Sequence, residues 1–163
     1  CFSIQSDVDS RMIETLFGIP DYRYKVWLVR YLTQIFAILG LLAILALFCK
    51  STLADFPFFI MLFHLMFPIL FLSGLGFMVA SITRNGNGTA AVMVVIIMFF
   101  WIAAEPLNGS RYDLFHNPFA QVDMYQMIHW QETTFYNRIY LIVTSVIFVM
   151  FGLFRLQKRE KFI

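Results

Sequence analysis

Residues 9–30, DSRMIETLFGIPDYRYKVWLVR, are the stretch from which the fold is read. Met12, Ile13, Leu16 and Phe17 recur at i, i+1, i+4 and i+5, so a helix gathers them on one face. Arg11, Glu14 and Thr15 fall elsewhere around that helix and are available for polar contacts. Gly18 tolerates the backbone angles of a terminator and Pro20 cannot continue the helix, so it ends there. Asp21 can cap the next helix, and an apolar run follows at once. A short amphipathic helix joined stiffly to a spanning helix is a lever, and a lever implies something that pushes it.

The apolar run is one of several. Of 163 residues, 60% are hydrophobic and 13% charged, with a mean hydropathy of +0.74. A soluble domain carries about 25% charged residues, so the composition predicts an all-α integral membrane protein, a polytopic helix bundle. A net charge of +2 gives no footprint for nucleic acid. Four spans are expected, over about 26–49, 56–82, 89–105 and 138–155. The first, at about 24 residues and 1.5 Å per residue, reaches roughly 36 Å, with Arg30 snorkelling at its start. The second contains Pro68, and the third is short and borrows Thr89 and the turn beyond it. Phe135, Tyr136 and Tyr140 form an aromatic collar for the fourth.

Basic residues set the orientation. With the amino-terminal segment in the cytoplasm, nine of the twelve Lys and Arg residues lie inside, and Lys50, Arg111 and Arg138 lie outside. The positive-inside rule then places both ends of the chain in the cytoplasm, in a plasma (inner) membrane. Residues 1–25 form a cytoplasmic segment, 26–154 the transmembrane domain and 155–163 a basic tail. Residues 50–55 are expected as a tight external turn. Residues 83–88 are expected as an internal turn in which Gly86 and Gly88 supply positive backbone angles. The external segment 106–137 contains an Asn117-Pro118 turn, then Phe119, Val122, Met124, Tyr125, Met127, Ile128 and Trp130. That stretch suits a helix lying in the outer interface. Cys1 and Cys49 fall at opposite membrane faces, too far apart for a disulfide. A chain opening on Cys1 with no signal peptide reads as a piece of a longer protein.

No catalytic constellation emerges. His64, inside the second span, is either a proton relay or substrate contact, or a neutral histidine bonded to a neighbouring helix. Pro68, four residues on, kinks the helix, and the bend either lines a translocation path or is purely structural. Ser73 sits in Ser73-Gly74-Leu75-Gly76, which is either a glycine-flanked nucleophile or a small-residue stripe for close helix packing. Met124, Met127 and His129, with His116 upstream, are either a soft Cu(I) site or apolar interface filler. No phosphate-binding loop of the Gly-x-x-x-x-Gly-Lys-Ser/Thr type is present in the chain.

The sequence Arg11…Glu14-Thr15-Leu16…Pro20, with Arg23 and Lys25 before a spanning helix, resembles a segment of type-2 ABC transporter permeases, the ABC-2 family. It is the segment between that family's second and third spans. The Arg84-Asn85 turn after small residues, the external Asn117-Pro118-Phe119 stretch and the basic tail extend the resemblance along the chain. The family's usual six spans would be represented by their carboxy-terminal four. The resemblance implies a permease subunit of an ATP-driven exporter, not itself an enzyme. Its coupling helix, residues 9–19, would dock on a separate ABC-type ATP-binding subunit that holds ATP and Mg. Met12, Ile13, Leu16 and Phe17 would share their apolar face with that subunit, and Arg11 and Glu14 would make polar contacts at the rim. A second permease half would complete the path. Two other readings stay open: an integral-membrane enzyme using His64, Ser73 or the external histidines, and a non-transporting anchor or assembly subunit.

Overall fold

The computed structural model describes residues 27–52, 56–83, 85–120 and 125–159, the last four by their backbone alone. The segment 9–19, with Arg11, Met12, Ile13, Glu14, Leu16 and Phe17, lies outside the described residues, as do Cys1 and Met124. The helices are α1 (Val29–Thr52), α2 (Phe58–Thr83), α3 (Gly86–Ile102), the one-turn α4 (Ala104–Leu107) and α5 (Met127–Arg159). No strand occurs among the described residues. Three helices, α1, α2 and α5, are long and apolar enough to cross a membrane, the architecture of a multi-pass membrane protein.

Two boundaries differ from the sequence expectation, each for a local reason. Asn85 accepts a hydrogen bond from the Asn87 amide at 3.0 Å and so caps α3 directly. The helix therefore begins at Gly86, and neither Gly86 nor Gly88 takes a positive φ. Among the described glycines only Gly109 does, at 74°. Helix α3 gains length in this way at its start, and α4 prolongs it beyond Ala103. The other difference is at α5, which starts at Met127, well before the expected entry near residue 138. Its polar residues are not loop. Trp130, Thr133, Thr134, Asn137 and Arg138 fall at i, i+3, i+4, i+7 and i+8, a single helical stripe. No separate interfacial helix precedes it among the described residues: 125–126 form a turn and 127–130 already belong to α5.

Helix α2 is the hub. Against α5 its contacts rise together along both helices: Phe67 with Arg138, Leu70 with Ser145, and Met78 with Gly152. The two therefore run parallel. Against α3 the contacts run in opposite order: Phe71 with Phe100, Gly76 with Met93, and Thr83 with Thr89. Helix α1 leans on α2 through the Tyr31 hydroxyl, 3.1 Å from Ser73 Oγ, and the Tyr31 ring against Phe77. The buried core, Phe67, Phe71, Leu75, Val79, Leu114 and Leu141, lies on the α2–α5 seam and the loop that covers it. Small residues set the closeness of that seam. Ser145 Oγ donates to the Leu70 carbonyl at 2.7 Å, and a Cβ added at Gly74 would lie 2.9 Å from the Ser145 carbonyl oxygen. The small-residue reading of Ser73-Gly74-Leu75-Gly76 thus has a structural basis.

Chain connectivity fixes the ends. Helix α1 and helix α3 both run opposite to α2, and α5 runs with it. The start of α1, the Asn85 cap and the end of α5 therefore share one end of the bundle, the Thr83 end. The Phe58 end carries the loop that begins at Asn108. Large apolar side chains such as Phe36 and Ile44 on α1 and Phe99 and Trp101 on α3 are exposed, as lipid-facing surfaces are.

Candidate functional site

At the Phe58 end the loop after α4 folds back on the α2–α5 seam and buries a polar cluster. Its organiser is Asn137, fully buried at 0% exposure. The Asn137 amide Nδ2 donates to the Arg111 carbonyl at 3.1 Å and to the Asp113 carbonyl at 2.8 Å, fastening the loop to α5. Rings finish the seal: the Arg111 guanidinium lies over Tyr136 at 4.6 Å, and Tyr112 meets Tyr140 edge-on. Within the loop, Asp113 Oδ1 accepts from the Phe115 amide and Asn117 Oδ1 from the Phe119 amide. The Asn117-Pro118 turn read from the sequence is thus built by the asparagine side chain.

Under this seal sits Arg138, buried at 7% exposure. A buried guanidinium needs strong partners, and those found are weak. Nη1 donates to Asn137 Oδ1 and Nη2 to the His116 carbonyl, both at 3.4 Å, and the head lies 5.3 Å from the Phe67 ring centroid. The Nε hydrogen has no partner among the described residues. Asp113 is the carboxylate that acts on Arg138 electrostatically, and its Oδ1 is engaged by the loop backbone.

His116 is buried and stacked on Trp130, ring centroids 4.6 Å apart. Its Nε2 lies 2.7 Å from Thr134 Oγ1, and that hydroxyl donates its one hydrogen to the Trp130 carbonyl at 2.8 Å. Thr134 can therefore only accept from the imidazole, which places the proton on Nε2 and leaves Nδ1 as a bare lone pair. No partner meets His116 Nδ1, His64 Nδ1 or Trp130 Nε1 among the described residues, although all three atoms are buried. His64 packs edge-on to Phe63 and Phe119, and both His116 and Arg138 lie within its electrostatic reach.

Burial lowers the His116 pKa below 6.5, the Arg138 and His64 charges lower it further, and Asp113 opposes them. The unfolded chain then binds more protons than the folded one below pH 6.5. Stability from this group is complete above that pH and is lost as pH falls toward the lower folded value. The slope is at most about 1.4 kcal/mol per pH unit. Thermal unfolding between pH 7.5 and 5 should show this loss in the native chain, and His116→Gln should flatten it; equal slopes would refute the assignment.

The other residues singled out in the sequence do not join the cluster. Ser73 bonds to Tyr31 and to the Leu70 carbonyl, and it stands nine residues from His64 along α2, roughly 13 Å of helix rise. His64 and Ser73 therefore do not converge. Pro68 lies one turn beyond His64 and deprives the His64 carbonyl of its helical donor. Met127 and His129 are exposed. Among the described residues no group of three or more His, Cys, Asp or Glu side chains is placed to hold a metal. Arg138 and Asn137 were absent from the sequence candidates, although the polar stripe from Trp130 to Arg138 carried the signal. The chain matches no protein-family model, no curated protein and no solved structure.

Proposed function

We propose that this chain is the membrane permease subunit of an ATP-driven ABC-2-type transporter, working as an exporter and driven through residues 9–19. The observation that carries the reading is connectivity. Residues 9–19 precede α1 in the sequence, and α1 begins at the Thr83 end of the bundle, where α5 also ends. Most of the basic residues are assigned to that end by the positive-inside rule. That end is assigned to the cytoplasm, where an ATP-binding subunit would grip the lever, and the sealed Phe58 end to the exterior. A push on residues 9–19 passes to α1, and from α1 to α2 through the Tyr31–Ser73 contact at 3.1 Å. The exposed apolar flanks of α1 and α3 leave room for lipid and for a second permease half. The ATP and Mg belong to the ATP-binding subunit.

Expression with a candidate P-loop ATPase tests the proposal. Glu14→Ala and Phe17→Ala should each lower co-purification and ATPase stimulation by about tenfold, since losing one interface anchor removes about 1–2 kcal/mol, while thermal stability stays unchanged. Unaltered association in both variants sinks the transporter reading. An unaltered ATPase rate with intact association favours an assembly subunit.

A further inference from the structure

A cleft of about 460 Å³ lies where α1 and α3 flank α2. Ligand sites have volumes of about 300–1,000 Å³, so it is large enough to hold one. Arg30, Gln34 and Ile38 line it at i, i+4 and i+8, one face of α1 that rises about 6 Å per step. The lining therefore changes in order along the helix. Nearest the Thr83 end stands the Arg30 guanidinium, 5.7 Å from the Trp27 ring centroid. The Tyr31 and Ser73 hydroxyls and the Gln34 amide come next. Beyond Gln34, α1 lines the cleft with apolar residues alone, Ile35, Ala37 and Ile38, and Leu72, Phe77 and Met93 add apolar walls from α2 and α3.

Hydrogen bonding narrows the occupant. Ser73 Oγ donates its one hydrogen to the Leu70 carbonyl at 3.0 Å, so the Tyr31 hydroxyl donates to Ser73 Oγ. Neither hydroxyl keeps a hydrogen for a ligand, and the donors lining the cleft belong to Arg30 and Gln34. A fitting ligand carries an anion, an acceptor about one helical turn deeper, and then hydrocarbon. A phospholipid has that order in its phosphate, ester carbonyls and acyl chain. Free phosphate lacks the chain, and a fatty acid lacks the deeper acceptor. Arg30 is the one charged residue in the described lining, so a headgroup cation such as choline finds no carboxylate there. Ala37 and Ile38 are exposed, which opens the cleft toward the lipid-facing side of α1.

We propose that this cleft holds one anionic phospholipid. Its phosphate lies on Arg30, an ester carbonyl accepts from the Gln34 amide, and an acyl chain runs along Ile35 and Ile38. The inference does not rest on the transporter reading, and its test contains no ATPase.

The full chain, purified in detergent, is titrated with phosphatidylglycerol and with phosphatidylcholine of the same acyl chains, and retained lipid is counted by native mass spectrometry. One phosphatidylglycerol per chain should be held, about tenfold more tightly than phosphatidylcholine, in line with a hydrogen bond to a charged group. Arg30→Gln should erase that preference. Gln34→Leu should weaken both lipids alike, since both carry the ester. Ala37→Phe guards against misfolding, because residue 37 is exposed and a phenyl ring there fills the cleft without displacing the core. It should unfold at the native temperature without lipid and bind phosphatidylglycerol about tenfold more weakly. Retention of no lipid overturns the proposal and leaves the cleft to be covered by protein. Equal retention of the two lipids, or a preference undiminished in Arg30→Gln, also overturns it. Binding undiminished in Ala37→Phe would place the lipid elsewhere, and displacement by glycerol phosphate at equal concentration would show that the chain is not held; either result defeats the assignment.

Discussion

Gly74→Ala should cost the chain about 1–3 kcal/mol, the usual range for overpacking a tight contact, and Gly74→Leu should abolish the α2–α5 pairing. A methyl at this position would lie 2.9 Å from both the Ser145 carbonyl oxygen and Ser145 Oγ, and 3.4 Å from its Cα. Two of these atoms are backbone, so no rotamer change relieves the clash and the helices must separate. Separation also breaks the 2.7 Å bond from Ser145 Oγ to the Leu70 carbonyl. Gly40, where an added Cβ meets nothing within 4 Å, is the internal control, and Gly40→Ala should leave the melting midpoint in detergent unchanged. Equal behaviour of the two alanine variants would mean that the seam is looser than the geometry requires.

Asn137→Leu should release the loop of residues 108–120. Both Nδ2 hydrogens are spent on loop carbonyls, so the apolar replacement leaves the Arg111 and Asp113 carbonyls without that donor and removes an acceptor from Arg138. With each buried unsatisfied group costing about 1–3 kcal/mol, a loss of about 2–4 kcal/mol is expected. Asn137→Asp distinguishes hydrogen bonding from size. It preserves the shape but presents an oxygen to two carbonyl oxygens, so it should fare no better than leucine. Limited proteolysis should then cut within 108–120 in both variants and spare the native chain. An Asn137→Asp chain as resistant as the native one would show that Nδ2 does not hold the loop.

Apolar length located α1 and α2 as helices long enough to cross a membrane, whereas α3, expected as one of four spans, is a shorter apolar helix of 17 residues. The same signal misplaced the start of α5 because Gln131, Glu132, Thr133, Thr134, Asn137 and Arg138 look like loop when counted one by one. Helical spacing divides them. Gln131 and Glu132 are exposed, whereas Thr133, Asn137 and Arg138 are buried beneath a loop that is remote in sequence. A residue such as Arg138, counted by charge as external, can thus be buried within the bundle. The Asn85 cap was equally readable. Asparagine before Gly-Asn-Gly-Thr suits a helix start as well as a turn, and the glycines drew attention to the turn. His64 was visible as an intramembrane titratable group, but its neighbours His116 and Phe119 arrive from the loop, which no local pattern announces.

The direction of α5 beside α2 has an electrostatic consequence. Side-by-side helices that point the same way bring like ends of their macrodipoles together, each worth about half a charge. At a separation of roughly 8–10 Å and an effective dielectric near 20, the repulsion is about 0.5 kcal/mol at each terminus. Helices α2 and α3, pointing oppositely, attract by a similar amount. The seam with the closest steric fit is therefore the one that long-range forces oppose. Its cohesion is short-ranged, and a displacement of about an ångström would forfeit the fit while the repulsion remained. Such a junction parts abruptly, not gradually, as a latch does.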